Sequence, residues 1–228
     1  MSSQMWRQNW VADKCRTAYR LSRGEAGGGY AEAAILTCAT LNALAAELWP
    51  GRNIDRVRFV EMLVRHGAQA GECSQISIPL LVQHLEANSR QLEAQQLRYA
   101  FALSPKSFVV TGTDVDQYER AVYSVCPQLQ LNEVRDFSYA SLLYKEIRSS
   151  YAHEYKTGDR ADSVPMTTLT NQSVSYINQM ANNQEMIRLV HFHVEWLAQL
   201  AVEVAGVVDR LAGRLPLQQP QKWWLNGG

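Results

Sequence analysis

Arg148 and His153 are the side chains in this chain best suited to work on a phosphate. Arginine offers a rigid fork of donors that matches phosphate oxygens. Histidine is the side chain that exchanges a proton most readily near neutral pH. The two lie five residues apart, with Ser149 and Ser150 between them and Tyr144 and Tyr151 about one turn away on either side of Arg148. On an ideal α-helix five residues is about 140° of rotation, so one helix splays the pair. Two copies of the helix packed about a two-fold axis would gather two arginines and two histidines around one cleft. The plainer alternative places Arg148 in a surface ion pair with a nearby Glu and His153 at a fraying helix end.

The helix that must carry them is marked from both ends. Asp136 has the chemistry of an N-cap, its carboxylate able to accept from the free amides of a first turn. Phe137, Ala140, Tyr144, Ile147 and Tyr151 then recur at steps of three or four, a single apolar stripe. Gly158 is the expected stop, with Lys156 near the negative end of the helix dipole. Burying Phe137, Tyr144 and Tyr151 against a second copy would make the protein a homodimer.

Leu142-Leu-Tyr-Lys-Glu-Ile-Arg-Ser-Ser-Tyr-Ala-His-Glu-Tyr155 resembles the Arg-x4–6-His helix of the HEPN superfamily, in particular bacterial HEPN-like proteins. A second patch is similar to an early core helix of that group: residues 34–51, then Asp55-Arg-Val-Arg-Phe-Val-Glu-Met-Leu63. The likeness covers roughly residues 30–64 and 136–205. It implies a mainly α, up-and-down helical bundle of HEPN type and a metal-independent endoribonuclease or RNA-binding protein of toxin, defence or RNA-processing kind. Arg148 and His153 would be the catalytic pair, Ser149 and Tyr151 supporting polar groups, and RNA, an antitoxin or another protein the partners. Many members carry Asn, Asp or His after the arginine, where this chain has Ser149. The rival is a noncatalytic dimerisation or partner-binding module.

Composition sets the frame for either reading. The chain has 228 residues, 46% hydrophobic and 19% charged, enough for one sizeable domain. Lys plus Arg equals Asp plus Glu at 22 each, so no global basic field holds nucleic acid, and any RNA contact must be local. Four cysteines without a CxxC spacing suit a reducing cytoplasm. No signal peptide or membrane-spanning run is expected.

Helices are expected over 3–22, 30–48, 55–67 and 76–103, then from Asp114 or Asp116 to about 124. A hairpin follows at roughly 173–178 with 187–193, then a helix over 195–212. The glycines of residues 24–29 read as a joint rather than a phosphate loop, because no Gly-Lys-Ser/Thr follows. Arg52, Arg56 and Arg58 read as partners for Asp55 and Glu61. His84 reads as a satisfied core histidine. His191 and His193 would share a strand face, yet no third ligand sits at a familiar spacing, so no metal or cofactor is expected. Residues 1–215 form the domain, and 216–228 a loosely ordered tail.

Overall fold

The structure is a computed structural model that describes residues 5–67, 71–103, 109–163, 172–180 and 186–228. Its frame is three helices, α1 (Trp6–Ser22), α2 (Tyr30–Leu48) and α3 (Asp55–His66), close to the expected bounds. α2 runs through the centre because its sequence is Ala- and Leu-rich on most sides. Leu41, Leu44, Ala45 and Leu48 are fully enclosed, each leucine worth about 1.5–3 kcal/mol of burial. By length and composition α2 would also suffice to cross a membrane, contrary to the expectation that no segment does; half of it is buried within the molecule.

The single helix expected over 76–103 is two, α4 (Ile78–Ala87) and α5 (Gln91–Ala100). Ser77 caps α4 and Pro79 sits in its first turn. The break falls where Asn88 turns its side chain back onto the His84 carbonyl at 2.8 Å, and Ser89 takes a left-handed φ of 61°. Asn and Ser compete with helical bonding in this way. Reversal lets Arg98 grip Glu86 through two bonds of 3.0 and 2.9 Å.

Strands β1 (Gln75–Ile76) and β3 (Gln117–Tyr118) pair with each other, while β2 (Val109–Thr111) joins the edge of a hairpin, β4 (Val174–Met180) with β5 (Met186–Phe192). The hairpin matches the expected one, in register Val174 opposite Phe192 through Met180 opposite Met186. Its turn, expected at residues 181–184, lies outside the described residues. The β-favouring Val109-Val-Thr111 extends it to three strands. Helices α6 (Glu119–Val125) and α7 (Leu131–Arg135) lead to α8 (residues 139–154), the Arg148 helix. The last, α9 (Val194–Arg210), buries Leu197, Ala201, Val204 and Val208, with α1 and α2 packed along it. The fold is mainly α with small antiparallel sheets.

Asp116 does not start a helix. It is a buried acceptor that ties four segments together: Tyr139 Oη and Tyr176 Oη each donate to Oδ2 at 2.5 Å, and the Ile78 amide to Oδ1 at 2.9 Å. Gly112 passes so close that a Cβ there would lie 2.2 Å from Tyr139 Oη and 2.9 Å from Asp116 Oδ2. Burial lifts the Asp116 pKa to about 7, against the pull of the two tyrosine hydroxyls and the amide. A carboxyl raised in the folded state contributes stability that is present below about pH 4 and lost as pH rises through about 7. His191 works in the other direction: burial and then His193 depress it to about 4, so its contribution is present above pH 6.5 and lost as pH falls through about 4. Asp116→Asn should therefore remove the component of stability that declines between pH 4 and 7, leaving the His191 component exposed. Denaturant midpoints measured at half-unit steps check this; parallel curves for the two proteins would refute it.

The tail expected to be loose packs down instead. Trp224 and Leu225 are buried, and the Trp224 amide donates to the enclosed Glu61 carboxylate at 2.6 Å. Arg135 lies 4.5 Å over the Trp224 ring and donates to its carbonyl. Trp49 Nε1 donates to Gln218 O at 3.1 Å, and Leu217 N to Leu48 O at 2.9 Å. Two tryptophans supply enough apolar surface to hold a short segment, and Glu61 would otherwise lack that donor.

Candidate functional site

α8 runs without interruption from Tyr139–Leu142 through Leu143–Ser149, which is π-helical, to Ser150–Glu154. Ser138, not Asp136, caps it by accepting from Ser141 N at 3.2 Å; Asp136 pairs with Arg56 at 2.6 Å. The i→i+5 bonding of the π segment takes in an extra residue per turn. A row stepping by four, Tyr139, Leu143, Ile147 and Tyr151, is therefore buried along its whole length, with Leu142 and Glu146 beside it. Phe137, Ala140, Ile147 and Tyr151 of the expected stripe are buried too, and Tyr144 is half-buried against Phe59, ring centroids 5.5 Å apart. All of this is covered by the chain's own core. Phe137 and Tyr151 are therefore not available to a partner helix, and any dimer through α8 must use its outer face.

The helix ends one turn earlier than Gly158. Tyr155 takes the left-handed φ of 55° that closes it. Gly158 serves a close approach: its amide donates to Glu146 O at 2.7 Å, and a Cβ would come within 2.1 Å of Glu146 Oε2.

Arg148 is half-buried on the flank of this helix. Its guanidinium carbon stands 5.2 Å from the Tyr144 ring centroid, with Nη1 3.5 Å from Tyr144 Oη. It has no carboxylate partner among the described residues, so the surface ion pair considered as its plain alternative is not what holds it. Its charge reaches Cys38 of α2, whose thiol burial pushes up to about 12 against the pull of Arg148. A cation left without an acid, steadied by an aromatic face, keeps its donors for something else. His153 is exposed on the last turn and has no hydrogen-bond partner among the described residues. Ser149 is half-buried beside Arg148.

Tyr151 is elsewhere. It is buried, its hydroxyl pushed up to about 12 chiefly by burial, so it stays protonated near neutrality and cannot serve as a base. It lines a cavity of about 420 Å³ with Tyr30, Glu32, Tyr155 and Lys156. There Glu32 accepts from the Gly29 amide at 2.7 Å and from Tyr155 Oη. Neither Arg148 nor His153 lines that cavity. One chain thus supplies Arg148 and Ser149 on the helix flank and His153 at its tip, while Tyr151 faces inward.

The other candidates resolve simply. His191 lies within β5, opposite Ser175, and His193 precedes α9; both are buried, with ring centroids 5.0 Å apart and His193 Nε2 2.8 Å from Ser175 Oγ. Among the described residues no group of three His, Cys, Asp or Glu could hold a metal ion. All four cysteines are free and buried. Arg58 pairs with Asp55 as expected, but Glu61 goes to Arg65 and Trp224. On α1, Arg7 binds Glu47 at 2.6 Å and Asp209 at 3.3 Å. Two features went unseen in the sequence, the Asp116 knot and a cleft containing His84, Lys145 and Arg160. The only sequence signal for either is the isolated Lys145 on the polar side of α8. Comparison with protein-family models, with curated proteins and with solved structures found no match to this chain.

Proposed function

We propose that the protein is a metal-independent endoribonuclease or RNA-binding protein of HEPN type, acting in the cytoplasm as a homodimer through Arg148 and His153. The observation that carries this reading is the unpaired, aromatic-steadied guanidinium of Arg148 on the same helix as the exposed His153. Since the two diverge within one chain, a shared cleft needs a second copy.

In that cleft His153 takes the proton from a ribose 2′-hydroxyl as its oxygen attacks the adjacent phosphorus. Arg148 stabilises the charge that builds on the non-bridging oxygens. The P–O5′ bond breaks, and the leaving oxygen gains a proton from the partner's His153. The products are a 2′,3′-cyclic phosphate and a 5′-hydroxyl. No step needs a metal, and no cofactor enters. Ser149, next to Arg148 in the chain, is a supporting polar group; Tyr151 is buried and does not join.

The test is cleavage of a mixed RNA panel in excess EDTA, with end-group analysis and the mass in solution by light scattering. A dimer that leaves 2′,3′-cyclic ends with EDTA present is the expected result. A monomer at micromolar concentration, or activity that returns only with magnesium or zinc, sinks the reading. The second reading, a noncatalytic dimerisation or partner-binding module, is favoured by one observation: among the described residues no hydrogen-bond partner orients the His153 ring for proton transfer. A dimer that leaves every RNA intact would select it.

A further inference from the structure

A second cleft, enclosing about 410 Å³, opens between α4, α7, the start of α8 and the segment after it. Its lining includes His84, Asn132, Glu133, Asp136, Lys145 and Arg160, and neither Arg148 nor His153. Both carboxylates there are already matched. Glu133 takes two bonds from Arg90, at 2.8 and 2.9 Å, and Asp136 takes Arg56 at 2.6 Å. Lys145 and Arg160 are left as two cations with no carboxylate partner among the described residues.

Arg160 is held in place before anything binds. Its guanidinium carbon sits 4.9 Å over the Phe137 ring. Its carbonyl accepts from Val190 at 2.8 Å, and its amide donates to Glu146 at 3.4 Å. A fork fixed at both backbone and side chain loses little freedom on meeting a ligand. His84 packs on Phe137 as well, ring centroids 5.0 Å apart. Burial first, and then the charge of Arg160, lower its pKa, so at neutral pH it is an uncharged ring. Asn88 approaches its Nδ1 at 3.2 Å, which favours the tautomer with the proton on Nε2, 3.5 Å from Glu133. The cleft therefore combines two uncompensated cations with neutral donors, in a volume typical of small-ligand sites.

We infer that this cleft binds a phosphate monoester, with Arg160 and Lys145 on the phosphate oxygens and Asn132 and His84 beside the attached group. The two sources of that chemistry are a free nucleotide and the phosphorylated end of an RNA. The site stands apart from Arg148 and His153, and its fate does not depend on the nuclease reading.

Calorimetric titration at constant ionic strength tests it, using inorganic phosphate, adenosine monophosphate, adenosine, and a dinucleotide with or without a 5′-phosphate. Saturable one-to-one binding of adenosine monophosphate, and none of adenosine, is expected. Lys145→Gln and Arg160→Gln should each weaken it about tenfold or more, the scale of one charge-assisted bond. Arg16→Gln, at an exposed arginine of α1 paired with Asp13, should leave it unchanged. Because Lys145 is exposed, Lys145→Gln keeps the test decisive even if Arg160→Gln fails to fold. Tighter binding of the mononucleotide identifies a free nucleotide as the ligand; tighter binding of the 5′-phosphorylated dinucleotide identifies an RNA end. The inference is overturned if no phosphate-bearing probe saturates, if adenosine binds equally well, or if affinity survives Lys145→Gln.

Discussion

His153→Ala should lower RNA cleavage by roughly 10²–10⁴-fold, the usual contribution of one acid–base group, while leaving the melting temperature nearly unchanged. The second half of that expectation follows from exposure: His153 buries nothing and bonds to nothing among the described residues. Arg148→Ala should lower the rate comparably. Its stability cost is also modest, because what it loses is one cation–aromatic contact of about 0.5–1 kcal/mol rather than a buried ion pair. Arg148→Lys should recover little, since an ammonium cannot offer two parallel donors to one phosphate. Rate, melting temperature and mass measured on the same four proteins separate catalysis from architecture. Wild-type protein without cleavage, together with variants that fall apart into monomers, would assign the pair to assembly.

The largest effect on stability is expected from a single methyl group. Gly112→Ala would set a Cβ 2.2 Å from Tyr139 Oη, inside the bonds that Tyr139 and Tyr176 make to Asp116. Overpacking costs about 1–3 kcal/mol, and disturbing a buried hydrogen bond costs about 1–3 kcal/mol more. For a chain of this size that total lowers the melting temperature by roughly 5–20 °C. Tyr139→Phe removes the oxygen that the methyl meets. Gly112→Ala should therefore cost less in the Tyr139→Phe background than in the wild type, a non-additive cycle. A Gly112→Ala protein that melts within 2 °C of wild type, or a strictly additive cycle, would show that the segment shifts freely and that the knot carries little.

What the sequence made legible was the local part of the fold. The hairpin shows in Val174-Ser-Tyr-Ile177 and Ile187–Val194, where β-branched and aromatic residues cluster. The α2 and α9 helices show in their apolar periodicity. The break at Asn88-Ser89 does not, since the leucines on either side keep a helical step across it. The stripe of α8 was visible, but its π segment was not, because residues spaced by three and by four are compatible with either winding. Arg148, Ser149 and His153 were singled out by type, spacing and resemblance and form the proposed site, although the inward turn of Tyr151 depends on winding that spacing alone does not reveal. The phosphate cleft was out of reach for another reason. His84, Lys145 and Arg160 are separated by long stretches of chain, and only the approach of α4 to the segment after α8 puts them together. The same holds for Asp116, whose partners come from residues 78, 139 and 176.

The wide turn in α8 has a consequence for insertions and deletions. A π turn holds one residue more than an α turn needs. Removing a single residue between 143 and 149 could therefore be absorbed by rewinding, with no gap in the backbone ladder. Everything beyond the deletion would then keep its facing, because the turn that closes is the one that held the extra residue. Tyr151 would stay in the core and His153 at the tip of the helix. In an ordinary α-helix the same deletion would swing everything beyond it by about 100°. Chains whose α8 differs by one residue should thus be compared by the face on which the histidine emerges rather than by its distance along the sequence from the arginine.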